Sequence, residues 1–258
     1  YGTLPYYFMK GYKPDSPYLK YYEYIKKHGY SRHLYEFKDE YTNMPVNVQK
    51  DEKKGLYYVQ QEKKRLYFRK STPPKKIQKY YRALSMEQDK RSPHHYFDSV
   101  KDVTGKVFVD IGCAEGYSSL EIVEEAKHIY LFEQDEQWLE AIRATFEPWQ
   151  DKVTIIQKYV SDHNSSREQT LDDFFNNQTD EHLFLKMDIE GAERHALTGC
   201  KNLFQNCQKL DFAICTYHLR DDEEVISTFL NKHNCAYINQ KGFFRHRIRS
   251  VVMRGSKR

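Results

Sequence analysis

The stretch VFVDIGCAEGYSS (residues 107–119) decides how this chain is read. An apolar run ends in Asp110, Gly112 and Gly116 follow with three residues between them, and Ser118 and Ser119 open a segment with helical spacing. A buried strand running through a glycine loop into a helix brings backbone close to a ligand, because glycine adds no side chain and adopts the turns the approach needs. A dinucleotide loop carries G-x-G-x-x-G, with a third glycine placed for the pyrophosphate. That third glycine is missing, so a nicotinamide dehydrogenase is not the reading.

The pattern around the loop is regular. KVFVDI (106–111), HIYLFE (128–133), VTIIQKYV (153–160), HLFLKMD (182–188) and LDFAICTYH (210–218) are short apolar runs of strand length. Between them lie SSLEIVEEA (118–126), DEQWLEAIRATF (135–146) and GAERHALTGCKNLF (191–204), and DDEEVISTFL (221–230) follows, all spaced as helices. Trp138, Ile142 and Phe146 repeat at i, i+4 and i+8. CAYINQ (235–240) and RSVVMR (249–254) read as a closing hairpin-like pair. Strands alternating with helices predict an α/β fold: a seven-stranded, mostly parallel sheet with an antiparallel last strand, covered on both faces. Ligands of such sheets bind beyond the carboxyl ends of the strands.

Residues 1–100 differ in composition. They hold 21 Lys and Arg against 11 Asp and Glu, a net +10, while residues 101–258 carry −6. Seventeen of the 22 tyrosines lie in this front part. The expectation is two units: a Tyr/Lys-rich α+β extension over 1–100 that recognises the acceptor or caps the site, and a catalytic domain over 101–258. Within the extension, SPYLKYYEYIKKHG (16–29) reads as a helix stopped by Gly29, GLYYVQQEKKRLYFRK (55–70) as a hairpin, and PPKKIQKYYRALSMEQDKR (73–91) as a helix opened by its prolines.

The spacing D-x-G-x-x-x-G suits S-adenosylmethionine, which has no phosphate but has an amino-acid end and a ribose diol. Glu133, ending the second strand, is placed to accept both ribose hydroxyls. Here a resemblance becomes specific. VFVDIGCAEGYSSL, IYLFEQD, KYVSD and LFLKMDIEGAERHAL resemble the FkbM family of class I S-adenosylmethionine-dependent methyltransferases over residues ~106–255, with KMDIEGAE the most specific element. Cys113 replaces a usual small residue, and Gln134 stands where proline is usual, which leaves Glu133 in place. The resemblance implies a Rossmann-like class I methyltransferase fold. It also implies a donor site lined by Asp110, Gly112, Cys113, Ala114, Glu115, Gly116, Tyr117 and Ser118, with Glu133 and Gln134 at the ribose and Tyr159, Val160 and Ser161 flanking the adenine; Asp188 reaches the same site.

The family methylates mostly hydroxyl oxygens. That chemistry needs alignment and a group that takes the proton, either a general base or a divalent metal. The strand ends supply Lys186, Asp188 and Glu190, and Tyr217 and His218. Asp188, Glu190 and His218 are expected to converge, with His218 as base or the three as ligands of Mg²⁺ or Mn²⁺. Capping of the next helix is the plain alternative for the two carboxylates. Glu193 and His195 are expected on the solvated helix surface. EQDKRSPHHYF (87–97) resembles an element preceding the core in sugar-modifying members, so Glu87, His94, His95 and Tyr96, with Tyr217, are expected at the acceptor.

Tyrosine rings stack on sugars or bases, and lysines attract phosphate. The basic residues are scattered among acids, which argues against nucleic acid. The expected activity is O-methylation of a sugar hydroxyl in a glycan, a deoxysugar such as rhamnose or fucose being a fitting acceptor; a nucleic-acid or polyketide-type methyltransferase is the alternative. Fusion to, or association with, glycosyltransferases would suit that role. Five cysteines without C-x-x-C, no apolar run of membrane-spanning length and no signal peptide point to a cytoplasmic, reducing setting.

Overall fold

The computed structural model describes residues 15–31, 34–176, 180–244 and 247–257. The front part opens with α1 (Leu19–His28) and α2 (Lys38–Thr42). Before α1 the Ser16 hydroxyl accepts the Tyr18 amide at 3.3 Å, and after it Gly29, at φ +77°, ends the helix. A three-stranded antiparallel sheet follows: β1 (Val48–Asp51), β2 (Leu56–Gln61) and β3 (Lys64–Tyr67). The hairpin β2–β3 is the expected one; β1 was not anticipated, since VQKD shows no apolar alternation. α3 (Pro74–Glu87) begins at the prolines, where a missing N–H costs nothing.

From Val107 the chain alternates: β4 (Val107–Ile111), α4 (Tyr117–Ile122), β5 (His128–Phe132), α5 (Glu136–Phe146), β6 (Val153–Ile156), β7 (Tyr159–Val160), β8 (Glu168–Gln169), α6 (Leu171–Phe174), β9 (Leu183–Met187), α7 (Glu193–Thr198), α8 (Lys201–Asn206), β10 (Leu210–Cys215), α9 (Asp222–Lys232), β11 (Ala236–Phe244) and β12 (Arg247–Lys257). The main sheet has the order β11-β12-β10-β9-β4-β5-β6. β10, β9, β4, β5 and β6 pair in parallel, and β12 runs antiparallel to both β10 and β11. This is the anticipated seven-stranded fold.

Two differences from the expected elements bear on the site. The third strand ends at Ile156; Tyr159 and Val160 leave the sheet and pair with β8 instead. The helix expected over 191–204 is two helices, α7 and α8, broken at Gly199 and Cys200. A Cβ on Gly199 would sit 2.0 Å from the Ser161 carbonyl oxygen, so close approach to the loop after β7 requires glycine at this break.

β4 and β9 are buried along their whole length, as parallel strands covered on both faces must be. Val107, Val109 and Ile111 feed one apolar cluster with Leu185, Leu203, Phe204 and Ile226. Phe108 and Phe184 point the other way, into a cluster shared with Leu120 and Ile142. That second cluster also holds Leu56, Leu66, Phe68, Ile77 and Phe97 from the front part. The front sheet and α3 therefore complete the core on this face.

Candidate active site

A cavity of about 1130 Å³ opens over the carboxyl ends of β4, β5 and β9, with α3 as its opposite wall. Its floor is the loop after β4. Gly112 has φ +78° and Gly116 φ +80°, a region where side chains are strained. Space also excludes a side chain: a Cβ at Gly112 would lie 2.2 Å from the Asp188 carbonyl oxygen, and one at Gly116 would lie 2.7 Å from the Phe146 ring. Ala114 accepts φ +47° between them.

Asp110 and Lys186 are register partners on β4 and β9, so their side chains leave the same face. Lys186 Nζ lies 2.8 Å from Asp110 Oδ1 and donates to the Gly112 carbonyl at 2.7 Å. The Ser119 hydroxyl donates to Asp110 Oδ2 at 2.6 Å. Burial alone would lower the Lys186 pKa; the charges of Asp110 and Asp188 outweigh it and raise it above the usual lysine value. Lys186 is therefore a fixed cation that pins the loop.

Glu133 ties the loop from the other side. One carboxylate oxygen accepts the Ala114 amide at 3.0 Å and the other the Asp135 amide at 2.8 Å. Cys113, Glu115, Tyr117, Ser118, Gln134, Tyr159, Val160 and Ser161 line the same cavity. Glu115 is buried, which pushes its pKa up to about 7, while the Tyr80 hydroxyl, donating at 2.9 Å, pulls it down.

At the far end Asp188 faces two phenols. Tyr96 donates to Oδ2 at 2.8 Å, and Tyr217 approaches Oδ1 at 3.3 Å. Burial, then the nearby Asp188 charge, raises the pKa of both tyrosines, so they stay protonated donors. Burial would raise the Asp188 pKa, but Lys186 and His218 lower it overall. Asp188 is held ionised.

His218 does not stand on the cavity wall. Its side chain is 4% exposed and lies behind Asp188, with Nε2 3.5 Å from Asp188 Oδ1 and 3.5 Å from Glu190 Oε2. Nδ1 is 2.9 Å from Glu193 Oε1, which also accepts the Ile189 amide at 3.0 Å. Burial would lower the His218 pKa; Glu193, Asp188 and Glu190 raise it.

Glu193 is thus fully buried, not on the solvated surface, while His195 is exposed as expected. Asp188, Glu190 and His218 converge as expected, with His218 Nε2 3.5 Å from a carboxylate oxygen of each. Among the described residues, the groups whose ligand atoms lie within 4.8 Å of one another are Asp188, Glu193 and His218, with Glu193 in the place of Glu190. The Glu193 contact at His218 Nδ1 orients the ring, and Nε2 faces Asp188 and Glu190, the arrangement a ligating imidazole would have. Neither Asp188 nor Glu190 caps α7; its N-cap position is Ala192, with no side-chain cap.

The segment SPHHYF splits because it turns at Pro93 and His94, where the His95 amide approaches the Ser92 carbonyl at 3.5 Å. Tyr96 reaches the cavity. His94 does not: its Nδ1 meets the Tyr35 hydroxyl at 2.7 Å and its ring packs edge-on against Tyr217. His95 turns towards Asp98, 2.8 Å from Nε2, and Arg254 of β12. Glu87 lines the cavity with Tyr80, Ala83 and Leu84. Those four sit at i, i+3, i+4 and i+7, one face of α3, a signal legible in the sequence but not used. Arg69 and Trp138 also line it, the guanidinium 4.2 Å above the indole, and Tyr80 stacks on the same ring. Asp162, bridged to His195 at 2.9 Å, closes the end opposite Asp188.

The sheet order, the glycine loop and the strand-end carboxylates define a methyltransferase of Rossmann-like fold. The chain belongs to the FkbM methyltransferase family: the pattern of the Methyltransferase FkbM domain matches residues 22–243. It is similar to the structure of methyltransferase FkbM from Methylobacillus flagellatus KT, at 18% identity and TM-score 0.48, covering 58% of this chain and 43% of that one. The chain therefore spans less than half the length of that relative. Methanocaldococcus jannaschii Trm5 in complex with adenosine aligns at 14% identity and TM-score 0.47, covering 78% of this chain and 54% of that one. The ribosomal protein L11 methylase of Lactobacillus delbrueckii subsp. bulgaricus aligns at 11% and 0.41, covering 62% and 74%. No curated protein sequence matches. No described helix is long and apolar enough to cross a membrane, and all five cysteines are buried free thiols.

Proposed function

We propose that this chain transfers a methyl group from S-adenosylmethionine to a hydroxyl oxygen of a sugar in a glycan or glycoconjugate. The observation that carries the reading is Asp188: an ionised carboxylate on the cavity wall, flanked by the hydroxyls of Tyr96 and Tyr217 and set beside the glycine loop.

The residues fit the donor. Gly112 lets the loop pack against the Asp188 backbone, and the Asp110–Lys186 pair fixes it there. Glu133 keeps lone pairs for a ribose diol beyond the two amides it accepts. Tyr159, Val160 and Ser161 form the wall for the adenine. When bound, the donor supplies an electrophilic methyl group on a positively charged sulfur.

Asp188 accepts a hydrogen bond from the acceptor hydroxyl at Oδ1 and takes its proton as the oxygen attacks. Tyr96 and Tyr217 hold the carboxylate in place and keep it ionised. The positive charge favoured at His218, with Nε2 3.5 Å behind Oδ1, helps keep Asp188 ionised and ready to take the proton. In this reading Asp188 itself takes the proton, and the mechanism calls on no metal. Tyr80 and Tyr217 on the cavity wall are aromatic groups of the kind that suit a sugar.

The test is transfer of labelled methyl from S-adenosylmethionine to a panel of rhamnose-, fucose- and other sugar-terminated oligosaccharides, with RNA alongside, each with and without EDTA. Label on a sugar, unchanged by EDTA and lost in Asp188→Asn, is expected. Label on RNA alone would overturn the sugar reading, and loss of label with EDTA would overturn the metal-free one.

A further inference from the structure

The charges of the cavity are lopsided. Nine Asp and Glu line it against four Lys and Arg among the described residues. Two of those cations are already paired, Lys186 with Asp110 and Arg69 with Asp135 at 3.3 Å. A third, Lys158, donates to the Ser165 carbonyl and to Gln169 at the end opposite Asp188. The acceptor end is bounded by Glu87 on α3 and by Asp188 and Glu190 after β9. Glu190 projects at the rim with its side chain 90% exposed, while its backbone is held at φ +56°.

A cleft with walls of one sign focuses its field on whatever enters. Ionised carboxylates are acceptors only, so they pair with hydroxyl or ammonium donors and repel phosphate and carboxylate. Resting on the methyl-transfer reading above, we propose that the acceptor end admits a hydroxyl-rich sugar residue bearing no phosphate or carboxylate, and that Glu87 and Glu190 set this preference. Glu87 is the last residue of α3, so the front part of the chain helps choose the substrate. Among the described residues, the front part brings two cations to the cavity, Lys79 and the Asp135-paired Arg69, besides Glu87.

The experiment compares kcat/KM on matched acceptors: a neutral methyl hexoside, the corresponding uronic acid and the corresponding sugar phosphate. Neutral acceptors should be preferred by about tenfold or more at low ionic strength, and the preference should shrink in ~1 M salt. The E87Q/E190Q double variant, checked for an unchanged melting temperature and cofactor affinity, should raise the anionic-to-neutral ratio about tenfold. Each single variant should raise it part of the way. Equal or better turnover of the anionic acceptors, or an unmoved ratio in the double variant, overturns the proposal while leaving sugar methylation standing. Transfer to no sugar, with transfer to another acceptor class, overturns both.

Discussion

Replacing Lys186 by methionine tests whether this lysine is a structural cation or a reacting one. Lys186 and Asp110 are 5% and 1% exposed, and their charged atoms lie 2.8 Å apart. Methionine keeps the length and removes the charge. Asp110 then stays buried with the Ser119 hydroxyl, and the Gly112 carbonyl loses its donor. Removing one partner of such a pair costs about 3–5 kcal/mol, a large share of the roughly 5–15 kcal/mol that holds a domain folded. With a urea slope near 2 kcal/mol/M, the unfolding midpoint should fall by about 2 M. The Asp110→Asn/Lys186→Met double variant should recover much of this, because no unpaired charge is left inside. The deficit should be the same at pH 6 and pH 9. A raised lysine pKa contributes fully below the unfolded value near 10.4 and is lost only as pH climbs through the higher folded one. Urea curves followed by far-UV circular dichroism read all of this. A Lys186→Met protein within about 1 kcal/mol of wild type, or a double variant no more stable than the single, would refute the reasoning. Lost turnover on an intact fold would mark Lys186 as a reacting group.

Gly112→Ala should lose about 3 kcal/mol or more and bind S-adenosylmethionine at least tenfold more weakly, since the new Cβ meets the Asp188 backbone at a positive φ; calorimetry on folding and on binding checks both. Asp188→Asn should lower kcat by about 100-fold or more while cofactor affinity stays within roughly threefold, and ordinary turnover there would remove Asp188 from the chemistry. Glu115, buried with a pKa raised from 4.5 to about 7, favours the folded state when protonated. Its contribution is present below pH 4.5 and lost as pH rises through about 7, so Glu115→Gln should stabilise the protein at pH 8 by an amount of order 3 kcal/mol and little at pH 4; thermal melts at the two pH values decide.

What the sequence showed and hid follows from range. The strands of the main sheet are apolar runs bounded by polar residues, and parallel pairing buries both faces, so period and length suffice to find β4, β5, β9 and β10. The loop after β4 declares itself through Gly112 and Gly116. Glu193 was misjudged because its helix spacing reads as surface, and only the return of β10 sets His218 against it, 25 residues on. The break between α7 and α8 is equally non-local: the apolar spacing runs through Gly199, and the reason for glycine is the Ser161 carbonyl on another loop. His94 and His95 read as a pair because they are adjacent, yet the turn at Pro93 and His94 sends them to different neighbours. The roles of Tyr80 and Arg69 depend on how the front part docks, which no local pattern reveals.

The shared apolar cluster under α3 has a consequence for the way the protein comes apart. Phe68, Ile77 and Phe97 pack in one continuous body with Phe108, Leu120 and Phe184. Heat or denaturant that loosens the front sheet uncovers the floor of the donor cavity at the same moment. The two compositional halves should melt in a single cooperative transition, and a cut at the junction near residue 100 should leave neither piece with a sealed interior. In this protein the segment that reads as an appendage from its charge is one wall of the reaction vessel.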